Sequence, residues 1–380
     1  MDQPNLKEEI QTNEALPLPA ALLEKMAATL QNPRYHAEGN VLNHTRLVLK
    51  AYRDNHHQFK LDSSDHEVLY WASILHDVGK PATTRWQDNR WRAKGHEAAG
   101  VPIARDILLG QPQISSDQRK RILDLVRYHA VPLQWGLNPN SLQYYYQLAT
   151  RADLRMIGIF GYFDLVGRIC QDREEVLNIA HRFNQEMVAK IEYELGTYPE
   201  IQAAYRQASL RHQNALWTSL YQKDISLLTK LIQAESTRSE KPQFRCVIPV
   251  GVDSPRLRTY LEQQYTDAET YDASRLNPDR QGKFDLETQL RPLKHFLSVY
   301  GRPHKTLVLT GMPIDQDLLT TITNFGRQKG GKIEHLFIEE PLDSIAQSGD
   351  EASQRDIKAA HKKLMLPHPW SAHELKLMSL

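Results

Sequence analysis

Cysteine is nearly missing from this chain. Cys170 and Cys246, two in 380 residues, cannot build a disulfide framework or a zinc site made of thiolates. No apolar run approaches about 18 residues, and no basic N-terminus leads into an apolar core. Neither a membrane span nor a secretory signal is expected, and a cytoplasmic location is the default. An excess of one charge is also absent. Lys plus Arg number 47 against 46 Asp plus Glu, a formal net charge of +1, so bulk charge does not draw the molecule to nucleic acid. Any such contact needs a local basic patch. What is present, 41% apolar and 24% charged residues, suits a globular chain long enough for two cores.

The order of the chain divides it into parts. Residues 1–18 are polar and read as a flexible tail. From Pro19 to Cys170 apolar residues recur at three- and four-residue spacing, predicting helices around Leu22 to Leu30, Leu47 to Tyr52, Leu69 to Lys80, Val101 to Leu109, Arg119 to His129, Leu142 to Asp153 and Met156 to Cys170. Ser64-Asp65-His66-Glu67 reads as a capping box for the third of these, and Pro81 to Lys94 as a polar, basic, aromatic loop. This all-α domain covers 19–175. A more polar helical extension and linker, 176–242, ends in Ser239-Glu240-Lys241-Pro242. Beyond it, short apolar runs at 245–250, 306–310 and 333–338 alternate with amphipathic stretches, which predicts an α/β domain with a parallel sheet over 243–380.

The chemistry gathers in the helical domain. A His-Asp dipeptide, His76-Asp77, ends a buried helix and sets an imidazole beside a carboxylate, where both can bind one divalent metal. With 16 histidines and aspartate at roughly one residue in twenty, about one such dipeptide is expected by chance, so the weight lies on its companions. His44, His96, His129 and Asp164 each fall at an end or on the inner face of a predicted helix among apolar residues. Buried imidazoles and carboxylates cost free energy unless paired or metal-bound, and shared ligation satisfies them together.

Asn43-His44-Thr45-Arg46-Leu47-Val48-Leu49, Leu75-His76-Asp77-Val78-Gly79-Lys80-Pro81, Lys94-Gly95-His96-Glu97-Ala98-Ala99-Gly100-Val101 and Leu125-Val126-Arg127-Tyr128-His129 resemble the HD-domain phosphohydrolases. The likeness is greatest to the HD domains of bacterial CCA-adding enzymes and of bifunctional HD and polynucleotide-kinase enzymes of RNA end healing. Asp164-Leu165-Val166-Gly167-Arg168 resembles the family's last ligand segment. The resemblance implies that His44, His76, Asp77 and Asp164 hold one metal and that Asp77 bridges to a second, held by His96 and His129. Nitrogen and oxygen donors without thiolate suit Mn, Fe, Co, Ni or Mg. A metal-bound water would be the nucleophile, with Asp77 and Lys80 as catalytic residues, Lys80 offsetting phosphoryl charge. Arg85, Arg90, Arg92, Arg127, Arg168 and His36 are candidate substrate contacts, and Trp86 and Trp91 candidate stacking platforms.

In the second domain, Val247 to Gly251 runs like a strand into a phosphate-binding loop, which requires Gly, Lys and Ser or Thr at the fifth to seventh positions after its first glycine. Counted from Gly251 those positions hold Arg256, Leu257 and Arg258, so no ATP binding is expected. Asp272-Ala273-Ser274-Arg275 and the stretches around Arg355 and Pro367 resemble P-loop polynucleotide kinases, and the domain is read as a degenerate, P-loop kinase-like fold. Together these readings give a metal-dependent phosphohydrolase that removes 2′,3′-cyclic or terminal phosphate from RNA ends. A nucleotide or dinucleotide phosphohydrolase, and a non-catalytic RNA-binding protein with a structural metal, are the alternatives. No membrane partner is expected, and an oligomer is compatible with the sequence.

Overall fold

The computed structural model describes residues 15–149, 152–197, 216, 225–239, 244–250, 255–274, 276, 289–311, 316–339 and 374–379. The chain divides into two compact units, 1–194 and 195–380, each with its own core.

The first unit is helical. Its elements are α1 (Ala20–Ala28), α2 (Val41–Asn55), α3 (Ser63–Leu75), the single turn α4 (Lys80–Thr83), α5 (His96–Leu109), α6 (Ser116–Tyr128), α7 (Val131–Leu137), α8 (Leu142–Ala149), α9 (Leu154–Val166) and α10 (Arg173–Arg182). Side-chain caps fix where several begin. Asn40 Oδ1 accepts from the Asn43 amide at 2.8 Å at the head of α2, and Asp153 Oδ1 accepts from Met156 at 3.0 Å at the head of α9. The capping box of α3 is built by Asp62 and Asp65, two residues ahead of the expected Ser64–Glu67, because Asp62 rather than Ser64 holds the extended backbone that precedes the helix.

Helix α9 is buried on nearly every side, from Leu154 through Phe160 and Phe163 to Leu165, as a central helix must be. It packs on α2, α3, α7 and α10, while α3 packs on α2 and α6. Each fully buried Leu or Phe in this core stabilises the fold by roughly 1.5–3 kcal/mol. Gly167, just past α9, lets that helix end against α2: a methyl group there would sit 2.7 Å from the Val48 amide nitrogen. The segment 81–94 is not a plain loop. After α4 it forms a hairpin of β1 (Arg85–Gln87) and β2 (Arg90–Arg92). Its turn residues Asp88 and Asn89 have φ of 50° and 55°, the left-handed conformation that a two-residue hairpin demands and that Asp and Asn tolerate. Helix α11 (Ala189–Thr197) closes the described part of this unit.

The second unit contains α12 (Ile225–Ser239), β3 (Arg245–Val250), α13 (Pro255–Gln264), β4 (Glu269–Asp272), α14 (Arg291–Tyr300), β5 (Thr306–Thr310), α15 (Gln316–Gln328), β6 (Lys332–Glu339) and β7 (Glu374–Ser379). The sheet runs β4-β5-β3-β6-β7, and every pairing is parallel. Central strand β3 is apolar on both faces: Cys246, Ile248 and Val250 pack with Leu293, Leu297 and Ile322, while Val247 packs with Leu257 and Leu261. A parallel strand covered by helices on both sides requires this. The three apolar runs predicted from sequence are strands, and β4 and β7 are additions; Glu269-Thr270-Tyr271-Asp272 is too short and polar to announce itself.

Arg256 and Arg258 lie on α13, whereas Gly251 and the stretches around Arg355 and Pro367 fall outside the described residues. Asp272 ends β4, its Oδ1 accepting from the Ser274 amide at 2.9 Å.

Candidate metal centre

Four histidines and two aspartates from the helices of the first unit meet at one point. His44 comes from the first turn of α2, His76 and Asp77 from the end of α3, His96 from the first turn of α5, His129 from the end of α6 and Asp164 from the last turn of α9. His44, His76, Asp77, His129 and Asp164 are buried. Asp77 lies at the middle. Its Oδ2 stands 3.2 Å from His76 Nε2 and 3.7 Å from His44 Nε2, and its Oδ1 stands 3.3 Å from His96 Nε2 and 3.8 Å from His129 Nε2. Asp164 Oδ1 is 3.0 Å from His44 Nε2 and 4.0 Å from His76 Nε2. Two sets that could hold a metal, His44-His76-Asp77 and Asp77-His96-His129, therefore share one carboxylate.

The far side of each ring is already committed. Nδ1 of His76, His96 and His129 lies 3.2, 2.8 and 3.0 Å from the carbonyl oxygen three residues earlier, on Ser73, Ala93 and Val126. A donor on Nδ1 leaves the Nε2 lone pair as ligand and fixes the ring's orientation. For His44 the partner is a carboxylate, Glu38 Oε1, at 2.9 Å from Nδ1. His76 Nε2 is buried with no hydrogen-bond partner. A buried imidazole nitrogen without a hydrogen-bond partner, beside two carboxylates, suits a metal ligand, and the donor set fits a divalent cation.

Electrostatics agree with this reading. Burial by itself would raise the Asp77 carboxyl, but His76 and Lys80 hold it well below the usual range; for Asp164, burial is likewise overcome by Arg168 and His44. Both are therefore anionic. His129 is pushed down to about 3 by burial and by His96, so its ring is a neutral donor. Lys80 Nζ is 2.6 Å from Asp77 Oδ2 and donates to Gln31 Oε1 at 2.7 Å.

His96, His129 and Lys80 of the centre line a cleft of about 970 Å³, whose walls include Arg34, Tyr35, His36, Arg90, Trp91, Arg92 and Arg168. Of the candidate substrate contacts, His36, Arg90, Arg92 and Arg168 thus reach the cleft. Arg168 is held by Asp164 Oδ2 at 2.7 Å. Arg85 and Arg127 do not line it. The Arg85 guanidinium turns back to the Thr84 and Ala82 carbonyls at 2.7 and 3.1 Å. Arg127 lies over the Tyr128 ring, two residues before His129 and so on another face of α6. Trp91 lines the cleft, while Trp86 stands outside it, 57% exposed, edge-on to Trp91.

Residues 41–155 match the HD domain family. No curated protein and no solved structure matches the chain. The HD domain, with a His/Asp cluster able to hold a divalent metal, supports an HD-type metal-dependent hydrolase. Among the described residues no helix is long and apolar enough to cross a membrane. Two residues that sequence reasoning passed over complete the HD site, Glu38 and Gln31. Glu38 was legible as an acid two residues from His36 and just ahead of the Asn40 cap. Gln31 carries no local signal, since only the fold brings it to Lys80.

Proposed function

We propose that this chain is a metal-dependent phosphohydrolase acting on RNA ends that carry a 2′,3′-cyclic phosphate or a terminal phosphate. The observation that carries the reading is the carboxylate of Asp77, shared between two histidine sets, one of which, through His96 and His129, opens to a cleft walled by arginines and an indole. His44, His76, Asp77 and Asp164 would hold one divalent ion and Asp77, His96 and His129 a second. Such ions lower the pKa of a coordinated water and polarise a phosphoryl oxygen.

The chain's own groups do the rest. Lys80, held by Asp77 and Gln31, would offset the charge that gathers on the phosphoryl oxygens. Arg90 and Arg92 supply cations at the wall for a flanking phosphate, and Trp91 and Tyr35 offer ring faces for a base. In the second unit, a parallel sheet with β3 at its centre, followed by a sequence that lacks Gly-Lys-Ser at the phosphate-binding positions, supports a kinase-like domain that does not bind ATP.

A short RNA ending in 2′,3′-cyclic phosphate, incubated with Mn, Co, Ni, Mg or Zn, tests the reading. Wild-type protein is expected to convert the end to a monoester or hydroxyl in a metal-dependent way, and Asp77→Ala to lose this. No conversion by protein carrying bound metal would overturn the RNA-end assignment. A second reading, a free nucleotide or dinucleotide as substrate, is favoured by the cleft's volume, which lies within the range of small-molecule sites; turnover of mononucleotides with indifference to RNA would establish it.

A further inference from the structure

Glu38 sits in the turn between α1 and α2, 4% exposed, and three N–H groups converge on its carboxylate. His36 Nδ1 is 2.8 Å and His44 Nδ1 is 2.9 Å from the same oxygen, Oε1, while the Ile169 amide donates to Oε2 at 3.1 Å. The His44 contact is within hydrogen-bonding distance but off the line of a hydrogen bond, and a small rotation of the ring would let Nδ1 donate to Oε1. The turn itself is fixed. Asn43 Nδ2 donates to the Glu38 carbonyl at 2.9 Å, and the Ala37 amide donates to the Ile169 carbonyl at 2.8 Å. Glu38 thus ties the head of α2, which carries His44, to the segment that follows Asp164 at the end of α9.

We propose that Glu38 is the positioning residue of the first metal site. Its Oε1 can accept from both rings only when each carries its proton on Nδ1. His44 is then left with Nε2 alone to turn towards Asp77 and Asp164, and a charged acceptor behind a ligating imidazole raises that ligand's basicity. The same oxygen holds the His36 ring in the wall of the cleft. Of the four histidines at the centre, His44 is the one whose nearest Nδ1 neighbour is a carboxylate; for the other three it is a peptide carbonyl, with Glu97 Oε2 farther off at 3.5 Å from His96 Nδ1. This makes the first site the one whose affinity answers to a single replaceable side chain. The proposal rests on reading His44 as a metal ligand.

Glutamine at position 38 is isosteric but cannot serve three donors. With its oxygen on the rings, its amide group faces the Ile169 N–H; reversed, it faces two imidazole N–H groups. The test is Co²⁺ titration of metal-free wild type, Glu38→Gln and Glu38→Ala, read by visible absorption. Thermal melts of the metal-free proteins and proton NMR of the Zn²⁺-loaded ones accompany it. Expected in Glu38→Gln is a 10–100-fold weaker first site with a metal-free melting temperature close to wild type. Two slowly exchanging downfield imidazole N–H signals, from His36 and His44, are expected in wild type and not in either variant. Co²⁺ affinity in Glu38→Gln within twofold of wild type would overturn the proposal while leaving the metal centre standing. A wild-type protein that takes up no divalent ion would instead overturn the metal reading itself.

Discussion

Replacing Gly79 by alanine adds one methyl group at the tightest point of the metal centre. The backbone of Gly79 is right-handed helical, with φ −81° and ψ −18°, so conformation does not call for glycine there; proximity does. A Cβ on residue 79 would lie 2.1 Å from the His96 carbonyl oxygen and 2.5 Å from the Gly100 amide nitrogen. Both are backbone atoms and cannot rotate away. Restoring an ordinary carbon–oxygen contact of about 3.3 Å requires the first turn of α5 to retreat by roughly 1 Å. Overpacking of this kind costs about 1–3 kcal/mol where side chains yield, and the rigid neighbours place this case at the upper end. In a unit spanning residues 1–194, about 3 kcal/mol corresponds to a fall in melting temperature of roughly 6–12 °C. The retreating turn also carries His96, and a 1 Å misplacement of a catalytic group costs on the order of 100-fold in rate. The assay is a thermal melt by circular dichroism paired with metal-loaded hydrolysis of the RNA end. Gly196→Ala is the control, since a methyl there meets nothing within 4 Å. A Gly79→Ala protein melting within 2 °C of wild type and hydrolysing within about twofold of it would refute the reasoning.

Three other outcomes are expected. Lys80→Met removes the cation 2.6 Å from Asp77 and should lower kcat by about 10²–10³-fold with the fold retained; an unchanged kcat would remove Lys80 from the chemistry. Chelation by EDTA should lower the melting temperature of wild type by roughly 8–16 °C if metal was present at about a thousand times its Kd, which adds about 4 kcal/mol, and should leave Asp77→Ala unmoved; equal shifts in both proteins would count against a metal at this cluster. In the second unit, buried His335 is pushed down to about 3 by burial and by Arg327, with Nε2 3.0 Å from Thr323 Oγ1. Its neutral form belongs to the fold, so the stability it contributes is present above the unfolded value near 6.5 and is lost as pH falls towards 3. Between pH 7 and pH 5 wild type should lose about 2 kcal/mol more than His335→Gln in urea unfolding, and parallel losses would show that His335 is not the group responsible.

Much of this protein could be read directly from the order of its residues. Apolar spacing announced the helices that carry His44, His76, His129 and Asp164, because a helix needing one buried face must repeat its apolar residues every three or four positions. Polar groups lodged in that face stood out because they are costly there without partners. The runs 245–250, 306–310 and 333–338 announced a parallel sheet for the same reason, being apolar on both faces. Tertiary structure alone decided which groups meet. It sent Arg90 and Arg92 to the cleft but turned Arg85, which shares their face of the hairpin, back onto the Thr84 and Ala82 carbonyls, and helix phase put Arg127 on another face of α6. It also brought Gln31 to Lys80 and Glu38 to His44. These contacts depend on how α1, α2 and α9 pack, and packing is a property of whole helices in three dimensions that no local run of residues encodes.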